Sequence, residues 1–372
     1  MFSIFSIAYC KSAIKAKSSR LTMIFIPLIF CLAACNSAQS PIKQPPPEFT
    51  KMGLSGLIVK KLILKNEKLY AATDQGFYLH ESDEKWKLLS NENWDIYDIV
   101  VIDHSHFVIS YKFRGRNVLS QSTNNGESWV DVRSNFGLHN RNLQSELNEP
   151  IFKLFYDDGS LYGSGYDALA ISSDFGQHWQ KLAGVWNGFA RGTSLLTKNT
   201  SSNEIWYGGQ GAFENPILRR YSETDLSLFE VSTIDDVLPV PSSVKSLEFS
   251  ELFPNRVYVS GEGGIVYSDD QGDSWFPLHV NEDSRFYFDF AVFQDIEETF
   301  YTAGWNKNYD RPQPLIVEVS RDSGINWESF EYKEDELFGG VYSMAASHSE
   351  SADTLYLGLY KGGVIKVDFS LK

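Results

Sequence analysis

Three observations predict an all-β chain folded as a single β-propeller of seven four-stranded blades. The pattern S-x-[DN]-x-G-x-x-W occurs four times, over residues 122–129, 172–179, 268–275 and 320–327. The aromatic residues that close these segments or degenerate versions of them, Trp86, Trp129, Trp179, Phe229, Trp275, Trp327 and Phe369, stand 42 to 52 residues apart, a period that belongs to propellers. Between them, short runs rich in β-branched and aromatic residues alternate with period two, which suits strands and not helices. Seven marks give seven blades, with six and eight as the alternatives.

Each residue of the repeated segment has a physical task. Ser122, Ser172, Ser268 and Ser320, with Asn124, Asp174, Asp270 and Asp322 two places on, supply oxygen acceptors for turn N–H groups that would otherwise lack partners. Gly126, Gly176, Gly272 and Gly324 supply a positive φ without steric cost. Trp129, Trp179, Trp275 and Trp327 fold back over the turn to bury their rings. These segments resemble the Asp-box, or BNR repeat, of sialidases, sortilin-type receptors, certain glucanases and photosystem assembly factors. The resemblance implies a propeller with the segments on outer hairpins, where the acids are structural and not catalytic.

Within each repeat an apolar run, a turn, a second run, a glycine-containing turn and a third run precede the segment. Blade five shows this over residues 243–249, 256–260 and 265–268, followed by 275–280. The sequences Gly163-Ser164-Gly165 and Gly208-Gly209-Gln210-Gly211 are read as turns between second and third strands. The last repeat stops after its third strand, at residues 364–371. Residues 49–56, which precede the first full repeat, are expected to supply the missing outer strand of blade seven, closing the ring and covering its edge.

The N-terminus reads as an address. Residues 11–20 are basic without acids, residues 23–31 are almost wholly apolar, and Leu32-Ala33-Ala34-Cys35 follows, the layout of a signal peptide. The apolar stretch is shorter than the roughly 20 residues a spanning helix needs. Its ending resembles the lipobox of bacterial lipoproteins, which implies lipid attachment at Cys35 and a partner in the membrane itself. Asn36 in place of Asp favours the outer membrane under the retention rule of enteric bacteria. Pro41, Pro45, Pro46 and Pro47 form a semi-extended tether. The chain therefore divides into a signal peptide (1–34), an anchor and tether (35–48) and the propeller (49–372).

Composition narrows the functions. The net charge of −15 becomes −19 once Lys11, Lys15, Lys17 and Arg20 are removed with the signal peptide, and no later basic run offers a footprint for nucleic acid. Cys10, Cys31 and Cys35 are the three cysteines, so a mature chain starting at Cys35 has no internal disulfide. The histidines show no metal-ligand spacing, and no phosphate loop or nucleophile elbow is present; no cofactor or metal is expected.

Resemblance to sialidases implies an arginine triad, a tyrosine nucleophile and an Arg-Ile-Pro motif near the first blade. The first repeat lacks that motif, and Arg311-Pro312 in the sixth is its closest echo. Function is expected instead on the face opposite the repeated hairpins, where two enlarged loops stand out, residues 208–216 with Phe213 and Glu214, and residues 304–314 with Trp305, Tyr309 and Arg311. Trp186 and Arg191 lie on a connection of the same face. Exposed rings beside Arg suit a protein or glycan partner. The expected function is a non-enzymatic, membrane-anchored binding or assembly lipoprotein of the cell envelope, and the alternative is a sialidase-like or glucanase-like glycoside hydrolase.

We predict that Cys35→Ser releases the protein from the membrane fraction and abolishes incorporation of labelled palmitate. Fractionation with metabolic labelling checks this, and a variant that stays in the membrane while the wild type takes up no label refutes the lipobox.

Overall fold

Alternating runs of Val, Ile, Leu and aromatic residues become four-stranded antiparallel sheets, and seven such sheets form among the described residues. The computed structural model describes residues 45–137, 149–294 and 297–371; the expected signal peptide, Cys35 and the expected tether through residue 44 lie outside them. The innermost strands of the seven blades are Val59–Lys65, Asp95–Val101, Lys153–Asp157, Ala190–Asn199, Val240–Phe249, Phe290–Gln294 and Val341–His348. Each is followed in chain order by its blade's next strand, so the sheets form a seven-bladed β-propeller. One short 3-10 turn, Ser232–Asp236, interrupts the β-structure between blades four and five.

The ring closes as expected from the sequence. Glu48–Lys51 pairs antiparallel with Val364–Ser370, in the register Glu48 to Asp368 and Lys51 to Ile365. Phe49 stacks on Tyr332 at 5.0 Å, and Lys51 forms an ion pair with Glu334. The two ends of the domain thus share one sheet.

At the four repeated segments the serine Oγ accepts from the glycine N–H at 2.7–3.0 Å and donates to the Asn or Asp Oδ1 at 2.7–3.0 Å. That same Oδ1 accepts from the backbone N–H four places beyond the serine's acid partner, at Ser128, His178, Ser274 and Asn326. The glycines have φ of 80° to 94°, and so, unforeseen, do Asn125, Phe175, Gln271 and Ser323 before them adopt φ of 56° to 59°.

Glycine is also required by crowding. A Cβ on Gly176 would lie 2.2 Å from a methyl of Leu119 in the preceding blade, and one on Gly324 would lie 2.3 Å from Leu278. The tryptophans reach the same way: Trp129 Nε1 donates to Leu89 O at 2.7 Å and Trp179 Nε1 to Ser134 Oγ at 3.0 Å. Each hairpin therefore locks its own turn and grips the blade before it.

The structure corrects three local readings. Phe369 lies inside the third strand Val364–Ser370, buried against Tyr301 and Phe330, and closes no hairpin. Phe229 is largely exposed with Arg220 over its ring, so it does not pack into the preceding blade. Gly163 and Ser164 belong to the strand Ser160–Ser164, and Gly208 through Gly211 belong to Glu204–Gly211. A Cβ on Gly209 would lie 2.1 Å from Gly192 O; these glycines serve close approach within the sheet, and the loop of blade four shrinks to residues 212–215.

Asp270→Ala should destabilise the fold by about 1–3 kcal/mol, because Ser274 N–H loses its acceptor in a turn it cannot leave. Denaturant unfolding measures this. Unchanged stability would show that water replaces the carboxylate.

Candidate functional site

The seven inner strands surround a cavity of about 750 Å³, within the range of small-ligand sites. We call the face bearing the blade connections and the second-to-third-strand turns the upper face; the repeated hairpins lie on the lower one. Each inner strand enters from the upper face and runs downward.

Three carboxylates line the channel, Asp98, Glu248 and Asp289. Two are consumed by the scaffold. Asp98 accepts from Ile99 N–H at 2.9 Å, from Leu154 N–H of the next blade at 2.7 Å and from Lys61 Nζ at 2.6 Å. Asp289 accepts from Phe290 N–H, from Ser246 Oγ at 3.0 Å and from Met344 N–H of the next blade at 2.9 Å. Glu248 opens into the cavity and has no hydrogen-bond partner among the described residues; enclosure by the channel walls, with Asp289 nearby, pushes its pKa up to about 8.

Four lysines line the same channel, Lys60, Lys61, Lys153 and Lys245. Lys60 pairs with Asp95 and Lys61 with Asp98. Lys153 forms no ion pair or hydrogen bond among the described residues, and burial lowers its pKa. Lys245 Nζ lies 5.1 Å and 5.0 Å from the Phe286 and Phe288 ring centroids, and burial brings its pKa down to about 8.

An aromatic cluster forms the upper rim over blades five to seven. Phe288 meets Tyr342 at 4.7 Å and Trp305 at 5.3 Å. Trp305 stacks on Tyr360 at 5.5 Å and meets Tyr309 edge-on at 5.0 Å. Lys307 Nζ sits 3.8 Å over Phe286. The hydroxyls of Tyr309, Tyr342 and Tyr360 have no hydrogen-bond partner among the described residues, yet they are close enough that, after burial, the other two raise the Tyr342 pKa.

The expected ligand residues separate here. Trp305 is fully buried, which corrects its expected exposure: Gly340 has no Cβ to fill the space where the indole lies 2.1 Å from the position a Cβ would take. Trp305 is the floor of the cluster, and Tyr309, 48% exposed, stands above it. Arg311 is exposed. Trp186 is half-buried, edge-on to Phe136 at 4.7 Å, and so packs against blade three. Arg191 and Glu214 are exposed and 3.7 Å apart, while Phe213 and Phe189, 85% and 84% exposed, meet edge-on at 5.9 Å on the rim of blade four, away from the cluster. Sequence reading missed Lys153, Lys245, Glu248, Tyr342 and Tyr360. The only available signal was a charge inside an otherwise apolar inner-strand run, as in residues 243–249.

No group of three or more His, Cys, Asp or Glu among the described residues is placed to hold a metal ion. No described helix is long and apolar enough to cross a membrane.

No family model matches the chain, and no curated protein does. Solved structures share its fold. The extracellular domain of a putative hybrid two-component system from B. thetaiotaomicron is 11% identical with a TM-score of 0.60, over 87% of this chain and 39% of that one. A GH74 xyloglucanase from Xanthomonas campestris is 14% identical with a TM-score of 0.60, over 86% of this chain and 53% of the enzyme. A chain of the mitotic checkpoint complex is 10% identical with a TM-score of 0.59, over 88% of this chain and 95% of that one. The chain thus spans about two fifths of the first and half of the second.

Glu248 has a folded pKa raised from 4.5 to about 8, so the folded state holds its proton more tightly than the unfolded state. Its stabilising contribution is complete below pH 4.5 and is lost as pH rises through about 8. We predict that Glu248→Gln flattens the decline of Tm between those values; parallel declines in variant and wild type would refute the assignment.

Proposed function

We propose that this protein is an exported, lipid-anchored binding propeller that is not an enzyme, and that it captures a saccharide at the upper mouth of its channel. The observation that carries this reading is the use of the channel carboxylates. Glycoside hydrolysis ordinarily needs two acids in different roles, whereas Asp98 and Asp289 each accept three hydrogen bonds, two of which tie the blade to its neighbours. Glu248 is left without a second free acid among the residues that line the channel.

The rim supplies what binding requires. Tyr309, Tyr342 and Tyr360 offer ring faces beside hydroxyls that lack partners, over a Trp305 floor that packing already holds rigid. A rigid aromatic platform loses little entropy on binding. The fold is shared by a xyloglucanase and by an extracellular domain, so it favours neither reading, and the proposal rests on the channel residues. Export and anchoring rest on the Leu32-Ala33-Ala34-Cys35 sequence behind its apolar segment.

Tyr309→Ala combined with Tyr360→Ala should weaken oligosaccharide binding about tenfold or more, as loss of hot-spot aromatics does, with circular dichroism unchanged. Trp305→Ala should instead lower Tm, since it removes the floor. Calorimetric titration against a panel of oligosaccharides measures the first. Undiminished binding by the folded double variant, or turnover of a fluorogenic glycoside that Glu248→Gln abolishes, would overturn the proposal.

A further inference from the structure

The channel below the rim is not electrically uniform. Val240–Phe249 descends from the upper face, so Lys245 lies nearer the mouth and Glu248 three residues, about 10 Å of strand, further down. Lys153 lines the cavity beside Leu154, whose N–H donates to Asp98. Two cations therefore line the cavity, with a free carboxyl below Lys245. Neither Lys153 nor Lys245 has an anionic partner in contact among the described residues, although both side chains line the cavity.

Lys153 and Lys245 are half-buried in the channel wall, and an enclosed ammonium group without an anionic partner keeps only part of the hydration it has in open water. Elsewhere in the same channel the structure avoids this: Lys60 has Asp95 and Lys61 has Asp98. Lys245 has only the faces of Phe286 and Phe288 beneath it, and Lys153 is near enough to repel it. Glu262, the acid that most favours the charged form of Lys245, is already engaged by Lys307 and by Ser242 Oγ. The arrangement has the form of a cation pair awaiting an anion, next to an aromatic platform whose hydroxyls also lack partners.

Resting on the saccharide reading above, we infer that the ligand is an acidic sugar, its ring stacked on the Tyr309, Tyr342 and Tyr360 rim and its carboxylate seated between Lys153 and Lys245. A carboxylate there forms charge-assisted hydrogen bonds to both ammonium groups. The chain's overall charge of −15 opposes nonspecific anions elsewhere, which makes the upper channel selective by contrast.

The test titrates the purified full-length protein with a panel of oligouronates and with the same oligosaccharides after reduction of their carboxyl groups to alcohols. The wild type should prefer an acidic member over its reduced counterpart about tenfold or more, the range of one lost charge-assisted contact. Lys153→Gln with Lys245→Gln should abolish the preference while leaving affinity for the reduced sugar unchanged, and Lys245→Arg should keep it. Binding of the acid near pH 8 should also take up protons, read as a dependence of the measured heat on buffer ionisation. The groups facing Lys245 that share in that uptake are Lys153, Lys307 and Glu262, with Asp98, Lys61 and Asp289 around Lys153.

Equal affinity for acidic and reduced sugars, or a preference that survives in the folded double variant, overturns the acidic-sugar inference and leaves the saccharide reading standing. Binding of neither form overturns both. Full displacement of the oligouronate by millimolar inorganic phosphate, with no contribution from the rim tyrosines, overturns the sugar ring and reduces the seat to a simple anion site.

Discussion

A blade of this ring cannot bury its own faces; it has only its neighbours, and the last neighbour is supplied by four residues, Glu48–Lys51, paired onto Val364–Ser370. Everything else depends on that closure. The buried clusters bridge adjacent blades: Tyr301 and Leu315 of blade six share one with Leu355 and Val367 of blade seven, and Trp206 of blade four shares another with Val259 and Trp275 of blade five. Apolar interfaces of this kind supply most of the favourable free energy of folding, and in an open arc the two end blades would each lose one.

Directional contacts fix the angle between blades where apolar packing alone would leave it loose. The repeated hairpins press a glycine and a tryptophan onto the preceding blade. Nearer the middle of the sheets, tyrosine hydroxyls from second strands reach acids of the following blade, Tyr162 to Glu223 at 2.6 Å, Tyr258 to Glu298, and Tyr301 to Asp353. On the channel wall Asp98 and Asp289 do the same through backbone N–H groups. Buried acids are thus abundant in this protein, and nearly all are explained by assembly of the ring.

Against that background the upper channel is the exception. There Lys153 and Lys245 face the cavity half-buried and without an anionic partner among the described residues, beside tyrosine hydroxyls that also lack one. At 10–14% identity to the solved structures described above, the shared fold says nothing about ligand.

The sequence by itself determined the blade count, the ring-closing strand and the positions of the four complete hairpins, because these depend on local spacing, on period-two alternation and on turn chemistry within eight residues. It also marked the 304–314 loop as a rim element, though one role within that loop went astray: Trp305, picked for exposure, is the buried floor, while Tyr309 and Arg311 stand open. Phe369 and Phe229 matched the spacing without the geometry, since a residue's place in a period does not say which blade it will touch. Lys153, Lys245 and Glu248 were illegible as a site, for they lie on two strands about ninety residues apart and face one another only because a ring turns every inner strand toward the same axis. That convergence is a property of closure, and no local pattern in the chain encodes it.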